Sequence, residues 1–372
     1  MDTNLFTHHA LFRSSLILVS LLTLMGILGG CGPSSTASSS HPTGSTPAST
    51  PIKELKGTIT EFPLSTPHSG PTSITAGRDG NLWFTEAVVN TNCQSGQIGR
   101  ITPAGKVSEF PLLSNSQPGR ITTGPDSNLW FSEYACAKGQ SGQIGRITPS
   151  GTISEFPLPA NNQPGDITVG PDKVLWFTVT GTNTQTGKIG RITTAGTISE
   201  FPLPANTQPG GITVGPDKAL WFTAFDYNKF RGIIGRITPS GKVSEFPIAT
   251  AFGPSGITAG PDGNVWFSGA DTEAFNGTIG RITPSGTISL FPLPNRLSTV
   301  NGITAGPDNA LWFTEDTSNH AHDGTIGRIT PMGKMSEFPL PNPSAGPGSI
   351  TVGPDGKLWY TELLSNKVGR LV

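Results

Sequence analysis

The seven tryptophans of this chain stand almost evenly along it. Trp83, Trp130, Trp176, Trp221, Trp266, Trp312 and Trp359 are separated by 47, 46, 45, 45, 46 and 47 residues. Such a period marks a repeat architecture, in which each unit buries its faces against its neighbours. Each unit carries four short strand signals, of the kind ITxG, LWFTE, IGRIT and ISEFPL. Gly-Pro-Asp-Gly joins the first signal to the second. Pro-Ser-Gly or Pro-Ala-Gly joins the third to the fourth, and both are hairpin chemistry. Four strands per unit, seven times, predict an all-β, seven-bladed β-propeller with one four-stranded sheet per blade. An open β-solenoid is the alternative. The chain ends favour the ring: the repeats begin with a lone fourth-strand signal (58–64) and end after a third (367–371). The N-terminal strand can therefore complete the last blade and leave no open edge.

Composition supports this. The chain has 372 residues with 48 Gly and 34 Pro, and only 13% are charged. Helical bundles need the reverse, because Gly and Pro weaken helices. The formal net charge is -1. A chain without basic excess has little with which to neutralise phosphates, so no nucleic-acid partner is expected.

Residues 1–31 read as an export signal. Arg13 precedes an apolar run from about Leu16 to Leu28, which suits a signal h-region better than a membrane span. The run ends Leu28-Gly29-Gly30-Cys31, which resembles a bacterial lipobox and implies lipidation at Cys31. An ordinary cleaved signal or an uncleaved anchor is the alternative. Residues 32–55 form a Ser/Thr/Pro-rich linker. Between Gly32 and Pro51, seven Ser, four Thr and four Pro fill 15 of 20 positions. As a coil, such a segment reaches roughly 25 Å. The expected product is a propeller over residues 56–372, held at the outer face of the cell membrane by its lipid and monomeric.

The recurrent third-strand Arg (Arg146 in the second unit) and fourth-strand Glu (Glu155) invite an ion-pair reading. A two-residue turn would set them opposite each other; a type I turn with a glycine bulge would set them on opposite faces. Pro-Ser-Gly favours the bulge. A feature present in every blade is structural either way.

The unit ITxGPDGxLWFTE with IGRITxxGxxxEFPLP resembles the virginiamycin B lyase (streptogramin lyase) family over about residues 57–372. The resemblance implies a seven-bladed propeller that opens the ester-linked ring of type B streptogramins by elimination, assisted by Mg²⁺. Elimination needs a base beside a carbonyl and a group that stabilises the developing charge. The resemblance implies one His two residues before the first-strand Ile of the sixth unit. It implies Glu-Pro-His at the corresponding place in the seventh. Here those positions are Asn301, and Gly346-Pro347-Gly348. Neither Asn nor Gly can act as the base, so the family's chemistry is not expected at the family's position. Glu362 lies one residue early for the family's second metal carboxylate.

Other polar residues gather toward the face formed by the connections between blades and between second and third strands. Second strands end in Glu86, Glu133, Glu315 and Glu362, in contiguous blades 1, 2, 6 and 7. Gln117, Gln163 and Gln208 stand in adjacent blades 2 to 4, with Arg120 and Asp166 just before the first-strand Ile of blades 2 and 3. Together with Asn301 they suggest a polar funnel for a small molecule, a sugar, a cation or a surface partner; ordinary surface polarity is the alternative. His320 and His322 alternate in one loop, without further metal ligands in sight. With Cys31 lipidated, Cys93 and Cys136 remain, on adjacent blades and one face, in a compartment that permits a disulfide. Three function classes stay open: a binding propeller without the elimination chemistry, a lyase with relocated groups and Mg²⁺, which would make antibiotic resistance its role, and a structural surface module.

Overall fold

The computed structural model describes residues 57–87, 96–113, 116–136, 139–181, 187–271, 276–294, 298–317 and 324–372. The signal and linker expectations (1–56), Cys31, Cys93, His320 and His322 lie outside the described residues. Seven antiparallel four-stranded sheets follow one another, each ordered inner, second, third, outer strand. In blade 2 these are Ser116–Thr123, Leu129–Ala135, Gln143–Ile147 and Ile153–Pro157. The inner strands of neighbouring blades touch all the way round, from Pro71–Ala76 in blade 1 to Pro347–Val352 in blade 7 and back. The outer strand of blade 7 is Ile59–Pro63, paired with Lys367–Leu371 in the register Ile59↔Leu371 to Pro63↔Lys367. The ring is closed by its N-terminal strand, as the staggered ends of the repeat require.

Both faces of every blade are buried, for a reason visible in LWFTE. Alternation sends Trp and Phe to opposite faces. Trp83 packs with Ile121, Leu129 and Phe131 of blade 2. Phe84 packs with Trp359 and Val368 of blade 7. Each fourth-strand Phe stacks on its blade's Trp, as Phe110 on Trp83 at 5.6 Å between centroids. In blades 1, 2, 5 and 7 the third-strand Arg lies over both rings, and in blades 3, 4 and 6 over the Trp; Arg100 is 5.4 Å from the Trp83 centroid and 5.5 Å from that of Phe110. Its guanidinium then donates to Pro149 O in the next blade's turn. Arg370 reaches Pro103 O in the same way and binds blade 7 to blade 1.

The turn between third and outer strands carries the glycine bulge. Gly151 has φ +96°. The register pairs Arg146 with Ser154 and Gly145 with Glu155, so Arg and Glu take opposite faces. In blades 3, 4 and 6 the Arg finds a different carboxylate, the Asp of its blade's Gly-Pro-Asp, whereas Arg146 donates to Thr194 O in the next blade's turn. Arg236 Nε–Asp217 Oδ2 is 2.6 Å and Arg191 Nη2–Asp172 Oδ2 is 3.0 Å. That Asp also accepts the indole N–H of its blade's Trp, as Asp217 does from Trp221 at 2.8 Å. In those blades one side chain therefore fixes the Trp, the Arg and the turn.

A ring of hydroxyls surrounds the axis. Every inner strand has a bulge two residues long, opposite the second strand's Ser or Thr. In blade 4, Thr223 Oγ1 accepts Gly211 N–H at 2.8 Å and donates to Ser255 O of blade 5 at 2.7 Å. Thr85 and Thr178 make the same link, to Gly119 O and Gly210 O.

Candidate functional site

The bulge positions decide what stands at the mouth of the axis. Asn301, Gly346 and Gly348 are all at this end of blades 6 and 7. Asn301 is half-buried, and its amide donates to Pro347 O at 2.8 Å, tying blade 6 to blade 7. Gly348 lends its carbonyl to Thr314 Oγ1. Gly346 has φ +61° and caps the short Pro343–Ala345 turn. A Cβ there would stand 2.7 Å from Leu364 Cγ. A longer side chain at 346 would therefore strain a left-handed backbone and have to displace the exposed Leu364 side chain.

The four second-strand glutamates are not in the funnel, which corrects the expectation of an acidic arc. Glu86, Glu133, Glu315 and Glu362 each have 0% exposed surface. The alternation that buries Leu and Phe of LWFTE also turns the Glu two residues on toward the preceding blade. Gln97 Nε2 donates to Glu86 at 3.2 Å. Gln143 Nε2 donates to Glu133 at 3.1 Å, and Ser116 Oγ also binds Glu133. Burial raises the Glu86, Glu133 and Glu362 carboxyls to about 7 each. For Glu362 the nearby Glu61 adds to the rise and Lys367 opposes it.

The amide arc divides. Gln163 is 6% exposed; its Oε1 accepts Ala135 N–H at 3.2 Å and its Nε2 donates to Gln140 O at 2.8 Å. It fastens blade 2 to blade 3 and is not free for a ligand. Gln117 and Gln208 remain half-buried, opposite Tyr134 and Phe225 on their second strands. Arg120 and Asp166 do come together. Arg120 lowers what burial raises at the Asp166 carboxyl, and both charges act on Tyr134, whose hydroxyl burial pushes up to about 12. Asp166 accepts Ile167 N–H and, across the blade boundary, Ile212 N–H, each at 2.9 Å.

Sequence reading passed over the aromatic side chains here. Tyr134 packs over Gly119. In the blade 4 hairpin, Phe225 meets Tyr227 at 5.1 Å and Phe230 at 5.4 Å, edge to face. Tyr227 is 36% and Phe230 50% exposed. Phe230 has φ +48°, unusual for so bulky a residue. The signal was available: these aromatics fall outside the repeated consensus, and Tyr134 and Phe225 stand directly after the buried Glu133 and its counterpart Ala224. Among the described residues the one histidine is His68, exposed on the connection into blade 1. Cys136, just beyond the second strand of blade 2, is disulfide-bonded.

The model of the virginiamycin B lyase family matches residues 58–321 and 231–372. The chain belongs to that family. A streptogramin B lyase structure is 35% identical, with TM-score 0.71, over 86% of this chain and 99% of that one. Virginiamycin B lyase from Staphylococcus aureus is 37% identical over 85% and 99%, also with TM-score 0.71. A catalytically inactive histidine-to-alanine variant of that enzyme, solved with quinupristin, is 36% identical over the same shares, with the same score. No match was found among curated proteins.

At the positions that the family resemblance implies, the described residues supply magnesium no ligand set. Asn301 supplies an amide already committed to Pro347, Gly346 and Gly348 supply no side chain, and Glu362 lies sealed below the surface. The described residues contain no group of three or more His, Cys, Asp or Glu that could hold a metal.

Proposed function

We propose that this chain is an exported ligand-binding propeller, tethered through Cys31, that keeps the family's ring without its elimination chemistry. The observation that carries the proposal is position 346, where a glycine in the left-handed conformation, against the Leu364 side chain, stands in place of the carboxylate that the resemblance implies. With Asn301 and Gly348 beside it, no base or metal carboxylate stands where the resemblance requires one. What the same face does offer is recognition chemistry: Gln117 and Gln208, the rings of Tyr134 and Phe225, and the charged pair Arg120 and Asp166. Aromatic faces with a few convergent polar groups suit a polar small molecule or sugar. The signal-like run, the Cys at its end and the Ser/Thr/Pro linker support export and tethering.

The test is twofold. Purified residues 56–372 should not linearise quinupristin in the presence of Mg²⁺, as followed by mass spectrometry. Calorimetric screening of uncharged streptogramins and cell-wall sugars should find a saturable ligand. Mg²⁺-dependent turnover would establish the second reading, a lyase with relocated groups. That reading is favoured by identities of 35% and 37% across nearly the whole length of two lyases.

A further inference from the structure

One face of blade 7 carries side chains that no other blade combines at the same positions. On its second strand, Leu358–Glu362, alternation puts Tyr360 and Glu362 on the face turned toward blade 6. The register sets Glu362 opposite Lys367 on the third strand, and sets Tyr360 and Glu61 on either side of Gly369. Glu61 lies on the closing strand, and its Oε2 accepts from Lys367 Nζ at 2.5 Å. Blade 2 holds the corresponding Glu133 with two neutral groups, Ser116 and Gln143. In blade 7 those two places are Ala345 and Lys367. Blade 3 has the same lysine–glutamate pair, Lys188 and Glu200 at 2.7 Å, but Val179 stands where blade 7 has its second carboxyl. At these positions blade 7 alone sets two carboxyls against one lysine.

The residue before Lys367 holds the chain where it leaves the closing strand. Leu64 N–H donates to Asn366 O at 3.1 Å. The Asn366 side chain accepts the N–H and the hydroxyl of Ser69, each at 2.9 Å, and donates to Thr66 O at 2.9 Å. Glu61, Lys367 and the hydroxyls of Ser365 and Tyr360 act on Glu362. The residues of blade 6 that pack with Tyr360 are Trp312, Ile326 and Leu340, which carry no charge. Burial raises the Glu362 carboxyl to about 7, with Glu61 adding to the rise and Lys367 opposing it. Burial also pushes the Tyr360 hydroxyl up, so it keeps its proton throughout the neutral range. With Glu362 protonated, one lysine meets one carboxylate and the cluster is neutral. With Glu362 ionised, two carboxylates meet one lysine, which leaves an unmatched charge in a buried place. Releasing the closing strand takes Glu61 off this face and admits water, so the open form favours the ionised Glu362. The closed form therefore holds a proton that the open form gives up to solvent. Closure weakens as pH climbs from the ordinary carboxyl range to about 7 and stays weak above it.

We propose that the closing strand Ile59–Pro63 is a pH-operated latch, held shut while Glu362 keeps its proton and loosened when Glu362 releases it. The strand so loosened is the one that joins the ring to residues 1–58. Native-state hydrogen exchange of the full chain, followed between pH 5 and pH 8 and corrected for intrinsic rates, tests this. Leu64 N–H should lose about tenfold more protection than Leu203 N–H, because relieving about one pH unit of the rise is worth a factor of ten. Leu203 is the internal reference: its N–H makes the same 3.1 Å bond, to Gly187 O, next to the Lys188–Glu200 pair of blade 3. It reports the pH effects shared by the whole ring, those of Glu133 included. Glu362→Gln should abolish the excess at Leu64, and Glu133→Gln should leave it in place. In the unaltered protein the carboxyl carbon resonance of Glu362 should titrate with the midpoint of that excess, a readout that needs no variant to fold. Equal losses at Leu64 and Leu203, an excess that survives Glu362→Gln, or a Glu362 titration with another midpoint would each overturn the proposal.

Discussion

Replacing Glu133 by Gln should stabilise the propeller at pH 8 and leave it nearly unchanged at pH 5. The Glu133 carboxyl is fully buried, and burial raises it from 4.5 to about 7. Between those values the folded protein holds a proton that the unfolded chain releases, so stability falls as pH climbs from about 4.5 to about 7 and levels off above. A rise of that size corresponds to about 3 kcal/mol at about 1.36 kcal/mol per pH unit. Glutamine keeps the shape and an acceptor for Ser116 and Gln143 but never ionises. At about 2.1 cal/mol/K per residue, a ring spanning Ile59–Val372 shifts its melting temperature by roughly 1.5 °C per kcal/mol. Glu133→Gln should therefore melt about 5 °C above the parent at pH 8 and within about 1 °C of it at pH 5. Differential scanning calorimetry at the two pH values measures this. A variant destabilised equally at both would show that the carboxylate is stabilised by its surroundings and would refute the burial argument.

Deleting residues 1–55 should leave the melting temperature unchanged, whereas deleting 1–66 removes the closing strand and should lower it by many degrees; equal melting would deny the closure. Asp217→Ala unties both Arg236 and the Trp221 indole, and should cost about 1–3 kcal/mol in urea titration. Gly346→Glu should destabilise by about 1–3 kcal/mol through its left-handed backbone, and should not confer quinupristin turnover. Thiol titration of the unreduced domain should find neither Cys93 nor Cys136 reactive; two reactive thiols would contradict the proposed pairing between them.

The fold was legible because a propeller writes its geometry into the period. Evenly spaced tryptophans and a stranded fourth-strand signal at the N-terminus were enough to foresee blade number and closure. The partner of the third-strand Arg was harder to see. Asp217 precedes Arg236 by 19 residues, and only the stacking of hairpins brings them together. The glutamates after LWFT were misleading, because strand alternation gives them the same face as Phe, and a carboxylate there reads as solvated until the neighbouring blade is in place. Gly346 reads in sequence as a missing side chain; its left-handed φ adds that one could be placed there only with strain. Arg120 and Asp166 were visible as residues, but that Asp166 takes a backbone N–H from each of two blades follows only from the way neighbouring inner strands meet.

Because Ile59 pairs with Leu371, the two ends of the ring sit side by side at one edge of blade 7. The chain could therefore be joined there by a short linker and opened elsewhere, at any connection between blades, with every sheet still complete. Where translation begins is then a matter of phase rather than of architecture. A blade could also be duplicated or moved as a unit of about 46 residues if the cut falls at the same point of the repeat. The natural phase has one particular effect: the last strand needed to finish the sheet is the first to be synthesised, so the ring has to wait for its C-terminus before it can shut.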